Sequence, residues 1–372
     1  MTEAEKDLNL KLRSMRFLWY LGFLTRRNVD VVRYVEGHRD TVYTDIDVMG
    51  VKLNPDLTVS RVLADCTTSS ASTPQKILWL SGLTKLTGSE YGLLSRDVKL
   101  GMKYSDLARS TGMIMISPTT LDSLEQSYKI PKDRFFGSFH LPTETSTEPF
   151  RTLKEASKEA YEYLLFRHWW DPPHQQILTI ASICRRIVGN EISCGKWTDF
   201  LCSYGLTSIG IAVCEIAGGI LTVPEDKRQE EIVTELLGGR LQAYERRKLL
   251  ATLYDFMTKE IQERYHEKYP VSRKQFVENI VPEYSKYLAD LVLRICDDPL
   301  SSLFMPRVLD LFSHEVILYG GELRIGDVVC GFSDRHPREI LKPAKDALDF
   351  GIRSGIITKG LLGKYTQTTA NS

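Results

Sequence analysis

Three aspartates carry the most pointed chemistry in this sequence. In the segment YTDIDVMGV (43–51), Asp45 and Asp47 alternate with Ile46 and Val48. Side chains of an extended strand alternate between faces, so the two acids share one face. In the next β-like segment, RVLADCT (61–67), the apolar run Val62-Leu63-Ala64 ends in Asp65, and Thr67 shares its face. Asn54-Pro55-Asp56 marks a turn between the two segments. Pairing through that turn brings Asp47 and Asp65 together near one end of a sheet. A hard divalent cation such as Mg²⁺ takes carboxylate oxygens there and keeps its waters. Such an ion binds a phosphate and activates water. An acid within an Ile and Val strand costs free energy unless it is paired or metal-bound, which singles out Asp47. Asp45 has a simpler role open to it, an ion pair or a solvated sheet edge.

The elements that must position these acids follow from periodicity. Leu8, Leu10, Leu12, Met15, Leu18, Trp19, Leu21 and Leu24 predict an amphipathic helix over residues 4–27. Stretches 29–35, 42–53 and 59–67, rich in Val, Ile and Thr, predict three strands in a meander. Thr73-Pro74 reads as the opening of a helix over 74–86, closed by Gly88. A strand at 91–95, a helix at 104–110, a strand at 113–117 and a helix opened by Pro118 complete an α/β unit. Residues 131–149, with Pro131, Pro142 and Pro149, read as a linker. Beyond it the pattern is mostly helical: 150–169, 175–189, 225–239, 241–265 and 273–297. The apolar run Leu206 to Leu221 contains Glu215 and is too short to span a bilayer, so it reads as a buried helix. Glu315 to Cys330, around Gly320-Gly321, reads as a hairpin. Gly218-Gly219 and Gly238-Gly239 read as helix terminators, and the tail GKYTQTTANS as frayed.

The opening helix, TDIDVMG, the strand ending in ADCT and the helix PQKILWLSGL together resemble the restriction-endonuclease-like, or PD-(D/E)XK, nuclease superfamily, nearest its Mrr-like and resolvase-like branches, over residues 8–120. The resemblance implies a restriction-endonuclease-like α/β domain at 1–130, a mixed sheet flanked by helices, followed by a mostly α-helical domain at 150–372. It makes Asp47 the metal-binding aspartate, Asp65 the acid of D/E-x-K, and Gln75 or Lys76 the polar residue of the following helix. The motif lysine is replaced by Thr67, whose hydroxyl has neither the reach nor the charge to take its place. The resemblance therefore implies a degenerate nuclease fold that binds DNA or scaffolds a DNA-processing or host-defence assembly. An active Mg²⁺-dependent DNA nuclease would need Lys76 as a migrated lysine beside Asp47 and Asp65. A third reading is a regulatory protein-interaction module that does not bind DNA.

Arg26 and Arg27, at the predicted end of the opening helix, and Arg33 beyond it are candidate phosphate contacts, giving affinity without sequence reading. Any polyanion site must be local, since 48 Lys and Arg balance 48 Asp and Glu. Seven widely spaced Cys without a C-x-x-C pair read as reduced core thiols of a cytoplasmic protein with no membrane segment. The N-terminus shows no secretory signal. His168-Trp169-Trp170 before Pro172-Pro173 reads as a packing anchor, with a metal or base-stacking site as the sharper alternative. His38, His314 and His336 stand isolated in sequence, and no phosphate-binding Gly-rich loop is present. A homodimer or a protein partner would engage the helical domain.

Overall fold

A computed structural model of the chain describes residues 2–33, 41–67, 72–96, 102–131, 137, 147–266, 269–278, 282–331 and 333–370. Helix α1 (Glu3–Tyr20) starts in a capping box. The Glu5 N–H donates to the Thr2 hydroxyl, and the Thr2 N–H donates to the Glu5 carboxylate. It stops about two turns short of the predicted end because Gly22, at φ +92°, turns the chain back. Residues from Leu24 onward then pair as strand β1 (Leu24–Arg33) with β2 (Thr41–Leu53), beginning at Leu24↔Val51. Leu24 fits the helical spacing of α1, but its backbone groups are taken by the strand ladder.

β2 returns through a turn at Asn54–Thr58 to β3 (Val59–Thr67). Then follow α2 (Thr73–Thr87), β4 (Tyr91–Arg96), α3 (Met102–Ser110), β5 (Met113–Ile116) and α4 (Pro118–Ser127). The sheet order is β1-β2-β3-β4-β5. β1, β2 and β3 pair antiparallel, and β3, β4 and β5 pair parallel, so the sheet is mixed. The parallel half requires crossover helices, which α2 and α3 supply. Successive residues of β3 reveal the layering. Cys66 touches Ser14 of α1, whereas Asp65 touches Lys76 of α2. Neighbouring strand residues point to opposite faces, so α1 and α2 cover opposite sides of the sheet.

The remainder is helical, as expected, with its boundaries redrawn. The stretch predicted as one helix over 150–169 is Glu148–Ala156 and Lys158–Glu162, followed by a wide turn at Tyr163–Arg167 and a tight one at His168–Trp170. The stretch 273–297 is Arg273–Glu278 and Ser285–Asp297, with Pro282 between them. The hairpin expected at Glu315–Cys330 does not form among the described residues. Phe312–Leu318 is helical, and its end is closed by the Gly321 and Gly320 N–H groups donating to Glu315 and Val316 carbonyls. The tail is not frayed. It forms the helix Lys359–Thr369, anchored by buried Tyr365 donating to the Leu341 carbonyl at 2.7 Å. Gly218 does not end its helix either. Thr198–Ile220 runs past it, and a Cβ at Gly218 would stand 2.9 Å from the Asp56 carbonyl, so its role is close approach to the β2–β3 turn. That helix is long and apolar enough to cross a membrane, yet it is buried within the protein. Gly238 and Gly239 do separate two helices, both at positive φ. All seven cysteines are free thiols, and six are buried.

Most of the predicted linker 131–149 lies outside the described residues, and the regions before and after it are not separate in space. One hydrophobic core runs from α1 through the sheet to the C-terminal helices. Polar contacts bind the halves as well. Trp19 donates to the Asp327 carbonyl at 2.9 Å beneath the Arg307 guanidinium, and Trp170 donates to the Asp30 carbonyl at 2.8 Å. Arg26 is 2% exposed and pairs with Asp310, itself 0% exposed, at 2.8 Å. The Tyr204 and Trp169 rings lie 5.0 and 5.9 Å from its guanidinium.

Removing one partner of a buried ion pair strands the other charge. Arg26→Ala is therefore expected to lower the unfolding free energy by about 3–5 kcal/mol in a urea titration. Burial pushes the Asp310 carboxyl up, but Arg26 and His314 hold it down at about 2. A depressed carboxyl stabilises the fold above its unfolded value of about 4 and loses that contribution as pH falls through its folded value. Asp310→Asn should abolish the part of the acid destabilisation that falls in this window.

Candidate functional site

The β2–β3 ladder ends at Val48↔Ala64, and the next facing positions are Asp47 and Asp65. Were the ladder to continue, they would share a side. Here the strands part, and the Asp47 carboxylate fills the opening. Its Oδ2 accepts the Cys66 N–H at 2.7 Å, and its Oδ1 lies 2.6 Å from the Lys11 ammonium of α1. Lys11 is also 3.5 Å from Asp7 and 3.5 Å from Asn28 Oδ1.

Asp65, one residue before Cys66, is buried. Its Oδ1 lies 2.9 Å from Lys76 Nζ. Its Oδ2 is buried without a hydrogen-bond partner among the described residues. Lys76 sits in the first turn of α2, which enters through Pro74. Its ammonium rests 4.9 Å from the centre of the half-exposed Trp79 ring. At the end of β4, Arg96 is aligned with Thr67 and donates to the Thr73 hydroxyl at 3.0 Å, tying α2's start to the sheet.

The electrostatics follow from burial and these partners. Burial pushes the Asp47 carboxyl above its ordinary value, with Asp65 adding to the rise and Lys11 and the Cys66 N–H opposing it. Burial pulls the Lys11 ammonium down, but Asp47 and then Asp7 outweigh it, so it is held above its ordinary value. Burial pushes the Cys66 thiol far up, which removes it as a nucleophile.

Of the residues singled out in the sequence, Lys76 meets Asp65, and Asp47 is tied to the next residue through the Cys66 N–H. Thr67 is buried on the face it shares with Asp65. Gln75 is exposed, and no bond that holds either carboxylate comes from it. Asp45 is exposed opposite Asp30 on β1. Arg26 and Arg27 are corrected as phosphate contacts. They lie on β1, not at the end of α1, and both are buried, so a polyanion cannot reach them. The Arg33 side chain and His38 and Arg39 lie outside the described residues. The histidines and tryptophans beyond 150 build no second centre. His168 is fully buried against the Tyr163 carbonyl, and burial holds it down at about 3. Trp169 is anchored on the Leu165 carbonyl. A cavity of about 1240 Å³, lined by Trp170, Arg61, Lys85 and Glu215, does not include Asp47, Asp65 or Lys76.

Lys11, Arg96 and Trp79 were not singled out in the sequence. Only Lys11 carried a signal, the Asp7-x-x-x-Lys11 spacing of a helix-face ion pair.

Among the described residues no three His, Cys, Asp or Glu side chains gather as a metal-ligand group. Mg²⁺ needs no such set, because it is commonly held by one or two carboxylates and keeps several waters. An Asp65 oxygen without a hydrogen-bond partner among the described residues, with the Asp65 charge close enough to Asp47 to raise that carboxyl's pKa, fits that requirement. In comparisons with known proteins, no family model, no curated protein and no solved structure matches the chain.

A folded carboxyl with a raised pKa contributes most below its unfolded value and loses that contribution as pH rises through its folded value. In a carbon-detected NMR titration Asp47 should titrate above the ordinary carboxylate value of about 4, and Lys11→Gln should move it further up. A downward move would contradict the arrangement of charges described.

Proposed function

We propose that this chain is a divalent-cation-dependent nuclease of the restriction-endonuclease-like kind that hydrolyses phosphodiester bonds in DNA. The observation that carries the reading is Lys76 Nζ at 2.9 Å from Asp65 Oδ1. Thr67 stands where the D/E-x-K pattern has lysine, and an ammonium from the next helix reaches the same acid. The order helix, three antiparallel strands, helix, parallel strand agrees with the resemblance seen in the sequence and supports the reading.

Asp47 and Asp65 would hold the cation, with Asp65 Oδ2 the oxygen that has no hydrogen-bond partner among the described residues. A bound Mg²⁺ supplies a more acidic water and neutralises charge on the phosphate. The other roles belong to the chain. Lys76 Nζ donates to a non-bridging phosphate oxygen, where negative charge grows during attack. Trp79 beneath it and the Asp65 carboxylate beside it restrict where that ammonium points. The Cys66 N–H fixes Asp47 from one side, so the acid's rotamer is set before substrate arrives.

A second reading is a degenerate nuclease fold that binds DNA without cutting it. It is favoured by Thr67 and by the Lys11 ammonium on Asp47 Oδ1, where a cation would otherwise sit.

Incubation of the full chain with plasmid and with linear and single-stranded DNA in Mg²⁺ or Mn²⁺ should give cleavage. Lys76→Ala should slow it by about 10²–10³-fold, and Asp65→Ala should abolish it in a protein whose circular dichroism is unchanged. Salt-sensitive DNA binding without cleavage would move the chain to the second reading. Cleavage that survives both substitutions would refute the assigned residues.

A further inference from the structure

The two acids of the site are not equally available to a cation. Asp65 has a buried oxygen without a hydrogen-bond partner among the described residues. Asp47 has both oxygens engaged, Oδ2 by the Cys66 N–H and Oδ1 by Lys11 at 2.6 Å. A backbone N–H within a strand cannot move away, whereas a lysine side chain can. Access to Asp47 therefore depends on Lys11.

The charges lead to the same place. Two carboxylates face two ammonium groups, so the charges of Asp47, Asp65, Lys11 and Lys76 cancel, with one further carboxylate, Asp7, 3.5 Å from Lys11. A divalent cation taken up by Asp47 and Asp65 would stand beside both ammonium groups, which is costly unless one of them moves off. Lys76 is a poor candidate to depart. Its ion pair is with Asp65, and its ammonium lies against Trp79. Lys11 already stands 3.5 Å from Asp7, the acid one helical turn before it, and 3.5 Å from Asn28 Oδ1. Asp7 is about one-third exposed, so an ammonium there keeps both a carboxylate and water.

We propose that Lys11 is a resident counter-ion that regulates loading of the site. It occupies Asp47 Oδ1 in the cation-free protein and moves to Asp7 when a divalent cation takes that oxygen. This rests on reading the site as a cation centre. It assigns α1 a role the motif residues do not cover, in which the acid's affinity for metal is set by a competing ammonium whose alternative seat lies on its own helix. No bond is made or broken, and the exchange is one of ion-pair partners.

The test is calorimetric titration of the full-length protein with Mn²⁺ in the absence of nucleic acid. A charge-assisted hydrogen bond lost from the competing side translates into roughly 10- to 100-fold tighter binding for Lys11→Gln. Lys11→Arg should remain close to wild type. Asp7→Asn should weaken binding, because Lys11 loses its alternative carboxylate. Thermal melts of each variant without metal report folding separately. If the wild type binds Mn²⁺ and Lys11→Gln binds equally or more weakly, Lys11 does not regulate the site although the cation centre stands. If neither protein binds Mn²⁺ while both are folded, the cation centre itself is refuted, and the inference with it.

Discussion

Where β2 and β3 separate, the Cys66 N–H loses its place in the strand ladder and must find another acceptor. A buried donor left unpaired would cost on the order of 1–3 kcal/mol. Asp47 Oδ2 meets that need at 2.7 Å. The consequence is geometric. An acid that satisfies a backbone group in the plane of the sheet cannot swing freely to either face, and its second oxygen is left to the Lys11 ammonium of α1. The candidate site is thus a by-product of how the sheet ends, held by the same hydrogen bond that completes the fold.

From that fixed point the two covering helices act differently. α1 packs on the Cys66 face and sends Lys11 to Asp47, while α2 packs on the Asp65 face and sends Lys76 to Asp65. Each acid is served from one side of the sheet, so the charges alternate around the opening. Burial raises the Asp47 carboxyl even with Lys11 in contact, so desolvation outweighs the ion pair there. A carboxylate in that condition gains from any partner that stabilises its charge more than one ammonium does. A divalent cation is such a partner.

The strands were legible because Val, Ile and Thr alternate with polar residues, and β2 and β3 fall at or within one residue of the predicted spans. Asp47 and Asp65 were legible for the same reason, since an acid in such a pattern demands a partner. What failed to show were properties of long-range packing. Leu24 satisfies helical spacing and strand alternation alike, and only Gly22 and the β2 ladder decide between them. Arg26 and Arg27 looked like solvent cations. Arg26 is buried against Asp310, Tyr204 and Trp169, at least 140 residues away in sequence. The docking of Tyr365 on the Leu341 carbonyl likewise depends on a partner outside its own helix. Local propensity was overruled there by tertiary contacts.

The same distinction explains how an acid on a strand can meet an ammonium that strand spacing does not supply. In a strand, the residue two beyond an acid projects to the acid's own face. A helix lying over that face can deliver an ammonium to the same place from a different position in the chain. Lys76 does so eleven residues after Asp65, across a loop whose length no rule of alternation fixes. The ammonium arrives from above the acid rather than from beside it, so the contact it makes depends on where α2 begins. That start is set by Pro74, which pre-forms the first turn, and by Arg96, which holds Thr73 to the end of β4. The distance between Lys76 and Asp65 is therefore a property of the parallel half of the sheet, β3 and β4 with their crossover helix. The contact between Lys11 and Asp47 belongs to the antiparallel half and its covering helix α1. The site lies on the seam between the two halves, at the strand they share.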